Sequence, residues 1–460
     1  MKGKEFLLLA CLLLVFLCGF LLRADGGINL DALMYARMAE DFPALKSNVF
    51  PFGQALALRI FKTFCGDYFI ASKCLNFFCM LAVLVFSFRK KFFFFGTLLL
   101  FSLKTGTGLW SMSYSEPLFL TFFWFWLYVG FQTFQNQSFS SMNAVLLSLL
   151  LLCMTFVRHT GVFIWAGWMA ALVWLYFLNS HNSGLRKFLI KSGTLSSALL
   201  LAYLICDYLI FGSLFGEQER GNPDIRNRAE FWNHLMLNAK GCLSLANPFF
   251  TFVFQHAAPG EKTLLQLLIL FLDLVFLSSA VYLIIKKKNE LHGFPIVLIC
   301  LTSGYALLLF LSSLQAGIEI INLRLISPAS FALFFGLIVL YRTEIQRFSK
   351  SFLVFSLLAA AINLAILLKS PFPYPLIREK AMTLLKARPH ARYMLTDCSA
   401  GAASVYKIPF LNSEFRYRHA NLDPNHIALM AYGILRPELS ILKDTSGIGR
   451  SEILRASELQ

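Results

Sequence analysis

Asp31 stands four residues before Tyr35 in the run Asn29-Leu30-Asp31-Ala32-Leu33-Met34-Tyr35-Ala36-Arg37-Met38-Ala39-Glu40, directly after the first apolar stretch of the chain. Read as a helix capped by Asn29 and stopped by Pro43, it places Leu30, Leu33, Met34, Met38 and Phe42 on one apolar stripe. Asp31 and Tyr35 then lie side by side at the stripe's edge. A carboxylate held where a lipid headgroup meets water could take a proton from a hydroxyl. An acid in a first helical turn also favours the helix dipole with no chemistry at all. Spacing alone leaves both readings open.

Three more groups invite the same scrutiny. Ser113-Tyr114-Ser115-Glu116-Pro117 opens an apolar run, with proline where a helix tolerates it and Glu116 at the membrane boundary. Its acid, too, could serve only the dipole. Val157-Arg158-His159-Thr160-Gly161 is wedged between two apolar runs. A boundary arginine can grip a phosphate through paired N–H donors, or simply snorkel to water. Arg324, in Glu319-Ile320-Ile321-Asn322-Leu323-Arg324, has a similar place before a later run, and Lys104 reads as an interfacial anchor.

The elements that carry these residues follow from composition. With 57% hydrophobic and 14% charged residues in 460, the chain does not belong to the ordinary soluble class. Its mean hydropathy is +0.65. Apolar runs near 5–23, 68–88, 92–108, 113–131, 142–157, 160–178, 188–211, 264–285, 294–314, 326–341 and 351–368 have the length that crosses a bilayer. Each must be helical to satisfy its own backbone. The expectation is an all-α polytopic membrane protein with about eleven transmembrane helices. The first is retained rather than cleaved, since no small-x-small site follows it.

Basic clusters at Lys2/Lys4, Arg89-Lys90-Lys91, Arg186-Lys187, Lys286-Lys287-Lys288 and Arg342–Lys350 fall on one face if the N-terminus is cytoplasmic. The opposite face receives the loops 24–67 and 212–262, the turns that carry Glu116, Arg158 and Arg324, and the tail from 369 onward. The long loop 212–262 reads as a lid or acceptor-binding element. The division is therefore 1–368, a membrane domain, and 369–460, a small extracytoplasmic α/β domain, with a strand at Ala391–Thr396 and a helix at Asn425–Leu435. A net charge of +16 is spent on orienting helices and meeting anionic lipid, so no nucleic-acid partner is expected. Most of the ten cysteines lie inside apolar runs and none forms a CxxC pair. His159, His234 and His256 lack metal-ligand spacing, so neither metal nor cofactor is predicted.

The order of these pieces resembles the GT-C class of membrane glycosyltransferases. The likeness lies in one span, then Asp31 with Tyr35-Ala36-Arg37-Met38-Ala39, then Ser115-Glu116-Pro117 heading an aromatic-rich span, then the Arg158-His159-Thr160-Gly161 turn. It is similar to bacterial relatives of protein mannosyltransferases and aminoarabinose transferases, and to the GPI mannosyltransferase branch. The layout covers most of residues 1–345, on few matched residues. The resemblance implies a polyprenyl-phosphate-linked sugar as donor and a lipid, glycan or protein acceptor. It further implies inverting, metal-independent transfer outside the cytoplasm, in a bacterial inner membrane. Asp31 would be general base. Arg158 and Arg324, with Tyr35 and His159 beside them, would bind substrate. Where many members carry two adjacent acids, this chain has Asp31 with Asp25 and Glu40-Asp41 nearby, and Glu116 is the candidate supporting carboxylate.

Two other classes fit the same topology. A transporter or flippase of lipid-linked intermediates would use charges inside the membrane, for which Asp207 and Asp273 are the candidates. A scaffold would use the tail for partners. Convergence of Asp31, Glu116, Arg158 and Arg324 on one place is what the enzyme reading requires.

Overall fold

The computed structural model describes residues 3–22, 30–43, 45, 48–66, 68–178, 182–216, 228–249, 263–315, 320–368 and, in the tail, 383, 387, 393–396, 416–419 and 453–455. The helices in chain order are α1 (Gly3–Leu22), α2 (Leu30–Asp41), α3 (Phe52–Cys65), α4 (Tyr68–Arg89), α5 (Phe94–Ser102), α6 (Lys104–Leu109), α7 (Glu116–Gln135) and α8 (Ser141–Val157). They continue with α9 (Gly161–Leu178), α10 (Ser183–Phe211), α11 (Arg228–Leu243), α12 (Thr263–Lys286), α13 (Phe294–Gln315), α14 (Leu323–Leu340), α15 (Arg342–Arg347) and α16 (Ser349–Leu368). Among the described residues, nine of these are long and apolar enough to cross a membrane: α1, α4, α7, α9, α10, α12, α13, α14 and α16. The chain is a multi-pass membrane protein.

The expected count of eleven is not reproduced, for two reasons. Span 142–157 is a helix of 17 residues, shorter than the rest. Span 92–108 is broken into α5, of nine residues, and α6, of six, by an extended backbone at Leu103. Nine residues rise only about 14 Å, half a hydrocarbon core. The pair nonetheless runs the length of α4. Phe92, at its start, packs on Trp124, which donates to Ser87 near the end of α4 at 2.9 Å. After α6, Lys73 and Ser72 near the start of α4 meet the Ser111 carbonyl at 2.6 Å and the Ser113 hydroxyl at 2.8 Å.

The break is matched by a second irregular segment. After α11 the chain forms a 3-10 turn at Ser244–Ala246 and an irregular stretch to Phe249, packed among α12, α14, α16 and the α5–α6 break. Irregular backbone at such depth survives only where protein satisfies it. Lys104 Nζ donates to the Ser244 carbonyl at 2.5 Å and Ser330 Oγ to that of Leu245 at 2.6 Å. The Pro248 carbonyl accepts from the Lys104 backbone N–H at 2.9 Å and from Asn363 Nδ2 at 3.4 Å. Asn247 donates to Asp273 Oδ1 at 2.7 Å. One expectation is thereby corrected: Lys104 is fully buried rather than an interfacial anchor, and residues 244–247 are buried beside it.

Helices meet closely where side chains are absent. A Cβ on Gly304 of α13 would stand 3.0 Å from the Gly167 Cα of α9, so the two backbones cross almost in contact. At one end of the bundle Phe92, Phe93, Trp124, Phe131, Phe294 and Phe335 interlock, with Phe93–Phe131 and Trp124–Phe335 centroids each 5.1 Å apart. The basic clusters gather at this end too. Lys4 reaches Ser349 and lies over the Phe95 ring, and Lys287 pairs with Glu344 at 3.1 Å. Asp31, Glu116, Arg158 and Arg324 all belong to the other end, where α7 and α14 begin and α8 stops.

In the tail, strand β1 (Tyr393–Thr396) lies between β2 (Arg416–His419) and β3 (Ile453–Arg455) in a parallel sheet of order β2-β1-β3. Tyr393 is in register with Arg416 on one side and Ile453 on the other. The strand expected at Ala391–Thr396 is present at 393–396. The helix expected at Asn425–Leu435 and the rest of an α/β tail domain lie outside the described residues.

Candidate functional site

α2 brings Asp31 to the site. It stops at Asp41, as Pro43 requires, and the side chains it buries against the protein include three alanines. Ala32, Tyr35, Ala36 and Ala39 are buried, while Met34 and Met38 are only half-buried. Small residues let α2 approach closely. That packing leaves Asp31 at the edge with its side chain 22% exposed. The Asn29 cap lies outside the described residues.

α7 begins at Glu116 with Pro117 in its first turn, and Glu116 is 1% exposed. α8 ends at Val157, and Arg158 takes an extended conformation that turns its side chain back toward the start of α7. α14 begins at Leu323, so Arg324 sits inside its first turn rather than ahead of the helix. Asn322 caps it, its Oδ1 accepting from the N–H groups of Arg324 at 3.0 Å and Leu325 at 3.3 Å. Pro328 has no N–H to offer the Arg324 carbonyl four residues back, and the Ser327 hydroxyl takes its place at 2.8 Å.

These four segments converge. Arg324 forms an ion pair with Asp31 through Nη1, and its Nε lies 3.6 Å from Glu116 Oε1. Arg158 Nη1 pairs with the same Glu116 oxygen and with Ser115 Oγ, the latter at 3.2 Å. Tyr35 donates to Ser115 Oγ, also at 3.2 Å. The Arg324 guanidinium lies over the Tyr114 ring, 5.2 Å from its centre. Two carboxylates and two guanidiniums form a quartet whose formal charges cancel, which is what makes its burial tolerable. Glu116 is the floor, both arginines flank it, and Asp31 is the exposed rim. The contacts with Arg158 and the nearby Arg324 are the ion pairs that hold Glu116 among the described residues.

The electrostatics fix protonation states. Burial pushes the Tyr35 phenol up to about 12, against a smaller opposing pull from Arg158, so it stays a donor. Burial works against the charge on Arg158, and Glu116 works for it; the balance leaves the guanidinium raised. Arg158 is a permanent cation.

Five of the six residues singled out from sequence therefore meet: Asp31, Tyr35, Glu116, Arg158 and Arg324. His159 does not join them. Its Nε2 reaches the Asn48 carbonyl at 2.8 Å and its ring meets Phe215 edge-on at 4.9 Å. Asn48 in turn donates to Asp207 at 2.7 Å and to the Ser213 carbonyl at 2.7 Å. His159 and Asp207 thus fasten the end of α10 to the segment before α3.

Sequence reasoning missed the bridging role of Ser115, which lay inside a quoted motif, and Asn322, two residues from Arg324. It also missed Tyr305, buried beside Arg158 and donating to the Leu325 carbonyl at 3.0 Å. A single tyrosine in an apolar helix carries no signal. Among the described residues no group of three or more His, Cys, Asp or Glu is placed to hold a metal ion. No protein-family model matches the chain and no curated protein matches it in sequence, so its function is argued from the quartet itself.

Proposed function

We propose that the protein is a membrane glycosyltransferase that moves a sugar from a polyprenyl-phosphate donor to a hydroxyl on a lipid, glycan or protein acceptor. The observation that carries this reading is the quartet, in which four residues from distant segments gather at one end of the bundle with Asp31 at the rim. A carboxylate paired to a guanidinium is a poor base, so binding and catalysis are coupled by exchange. The donor phosphate takes the place of Asp31 on Arg324, with Arg158 adding positive charge and Glu116 keeping both guanidiniums in place. Asp31, released, accepts the proton of the acceptor hydroxyl. The acceptor oxygen bonds to the anomeric carbon as the carbon–oxygen bond to phosphate breaks, and the electron pair leaves on the polyprenyl phosphate. Displacement from the opposite side inverts the anomeric centre.

The gathering of basic clusters at the far end supports a cytoplasmic N-terminus and an extracytoplasmic site in a bacterial inner membrane, with the tail on the same side as a small α/β domain. The test is transfer by membranes carrying Asp31→Asn, assayed with a panel of polyprenyl-phosphate sugars. Loss of a general base lowers the rate about 10²- to 10⁴-fold. Transfer at the wild-type rate would sink the role given to Asp31.

One observation favours a transporter or flippase instead: a broken span next to buried Lys104 and Asp273, the kind of arrangement that binds cargo near the membrane midplane. Reconstituted vesicles separate the two. Movement of a lipid-linked sugar between leaflets without any transfer supports the second reading.

A further inference from the structure

The described middle of the 212–262 loop is α11, and it is fastened to the segment that precedes Arg324. Asn238 of α11 is fully buried. Its Oδ1 accepts the Ile321 backbone N–H at 2.9 Å, and its Nδ2 donates to the His234 carbonyl one turn back at 3.0 Å. His234 reaches the Ser313 carbonyl near the end of α13 at 2.7 Å. Gly241 completes the contact, since a Cβ there would stand 2.1 Å from the Ile321 oxygen. The helix backbone lies directly on the chain at Ile321. The next residue is Asn322, whose side chain starts α14 and holds the Arg324 N–H.

We infer that Asn238 is a positioning residue for Arg324. It fixes the non-helical chain at Ile321, hence the Asn322 cap, hence the point from which the Arg324 side chain reaches Asp31 and Glu116. Charge recognition through a guanidinium is lost over shifts of about half an ångström, so a connection without its own ladder needs such an anchor. α11, the helix within the 212–262 loop that sequence reads as a lid or acceptor-binding element, is in this sense the seat of the phosphate-binding arginine. That part rests on the proposed role of Arg324, and the experiment separates the two.

The full chain in nanodiscs is titrated with polyprenyl phosphate. Asn238→Leu keeps the volume and removes the acceptor, and weakens binding about five- to tenfold, the worth of one buried hydrogen bond. Asn238→Asp keeps an acceptor for Ile321 and restores most of the affinity. In an Arg324→Ala background Asn238→Leu has no further effect on binding, because its route is already cut. Unchanged binding in Asn238→Leu, or the same added loss in both backgrounds, overturns the inference. If Asn238→Leu does not accumulate, Gly241→Ala disturbs the same contact by pressing on the Ile321 carbonyl while leaving Asn238 in place, and gives the same pattern. If the wild type binds no polyprenyl phosphate, the proposed function fails and thermal unfolding decides the inference. Non-additive losses from Asn238→Leu and Arg324→Ala then support it, and additive losses overturn it.

Discussion

Asp31 and Glu116 are both carboxylates facing Arg324, yet their burial gives them different work. Glu116 is 1% exposed and lies against both guanidiniums, so Glu116→Gln leaves Arg158 and Arg324 sharing a single anion at the rim. Removing one partner of a buried pair costs about 3–5 kcal/mol. Asp31 is 22% exposed, and water can solvate Arg324 in its place. Asp31→Asn is therefore expected to cost less stability than Glu116→Gln while lowering transfer about 10²- to 10⁴-fold. Chemical denaturation of the purified variants ranks the two. Equal losses would contradict the division into floor and rim. Tyr35 belongs with Glu116, because its phenol is buried and shares one Ser115 oxygen with Arg158.

At the scale of elements, the α5–α6 break depends on Lys104, whose ammonium serves the Ser244 carbonyl from 140 residues away. Lys104→Met keeps the stem and strips the donor, and the orphaned carbonyl costs about 1–3 kcal/mol. A lowered midpoint in thermal unfolding checks it, and an unchanged midpoint would mean that water takes over. The same break explains where sequence reasoning stopped. Pro43 and Pro117 announce the end of α2 and the start of α7, because proline limits the backbone locally. Leu103-Lys104-Thr105 contains no such residue. Its extended turn exists because the segment after α11, through the Ser244 and Pro248 carbonyls, and α16, through Asn363, supply partners, and no local pattern records them. The convergence of Asp31, Glu116, Arg158 and Arg324 was legible for the opposite reason. Each stands at a helix end, and counting spans places ends on one face or the other. His159 turns toward Asn48 and Phe215 instead, because adjacency in sequence to Arg158 says nothing of direction once the backbone is extended at Arg158.

The whole molecule has two chemically distinct ends, and their orientation is testable. In a cysteine-free background, Gln137→Cys and Glu290→Cys lie at the basic end, in the exposed turns after α7 and α12. Both are expected to react with a membrane-impermeant maleimide only after cells are opened. Arg228→Cys, exposed at the start of α11, is expected to react in intact cells. The reverse pattern would put the quartet in the cytoplasm and remove the extracytoplasmic reading. The distance along the chain between the members of the quartet has its own consequence, in the order of manufacture. Arg324 leaves the ribosome 293 residues after Asp31, which at about 5–20 residues per second is roughly 15 to 60 seconds. Once Arg158 has emerged, the nascent chain holds Asp31 and Glu116 and lacks one of their two counter-ions until Arg324 follows. The centre therefore closes late, and a chain that stops short of Arg324 leaves the Asp31 carboxylate without the partner it has in the finished fold.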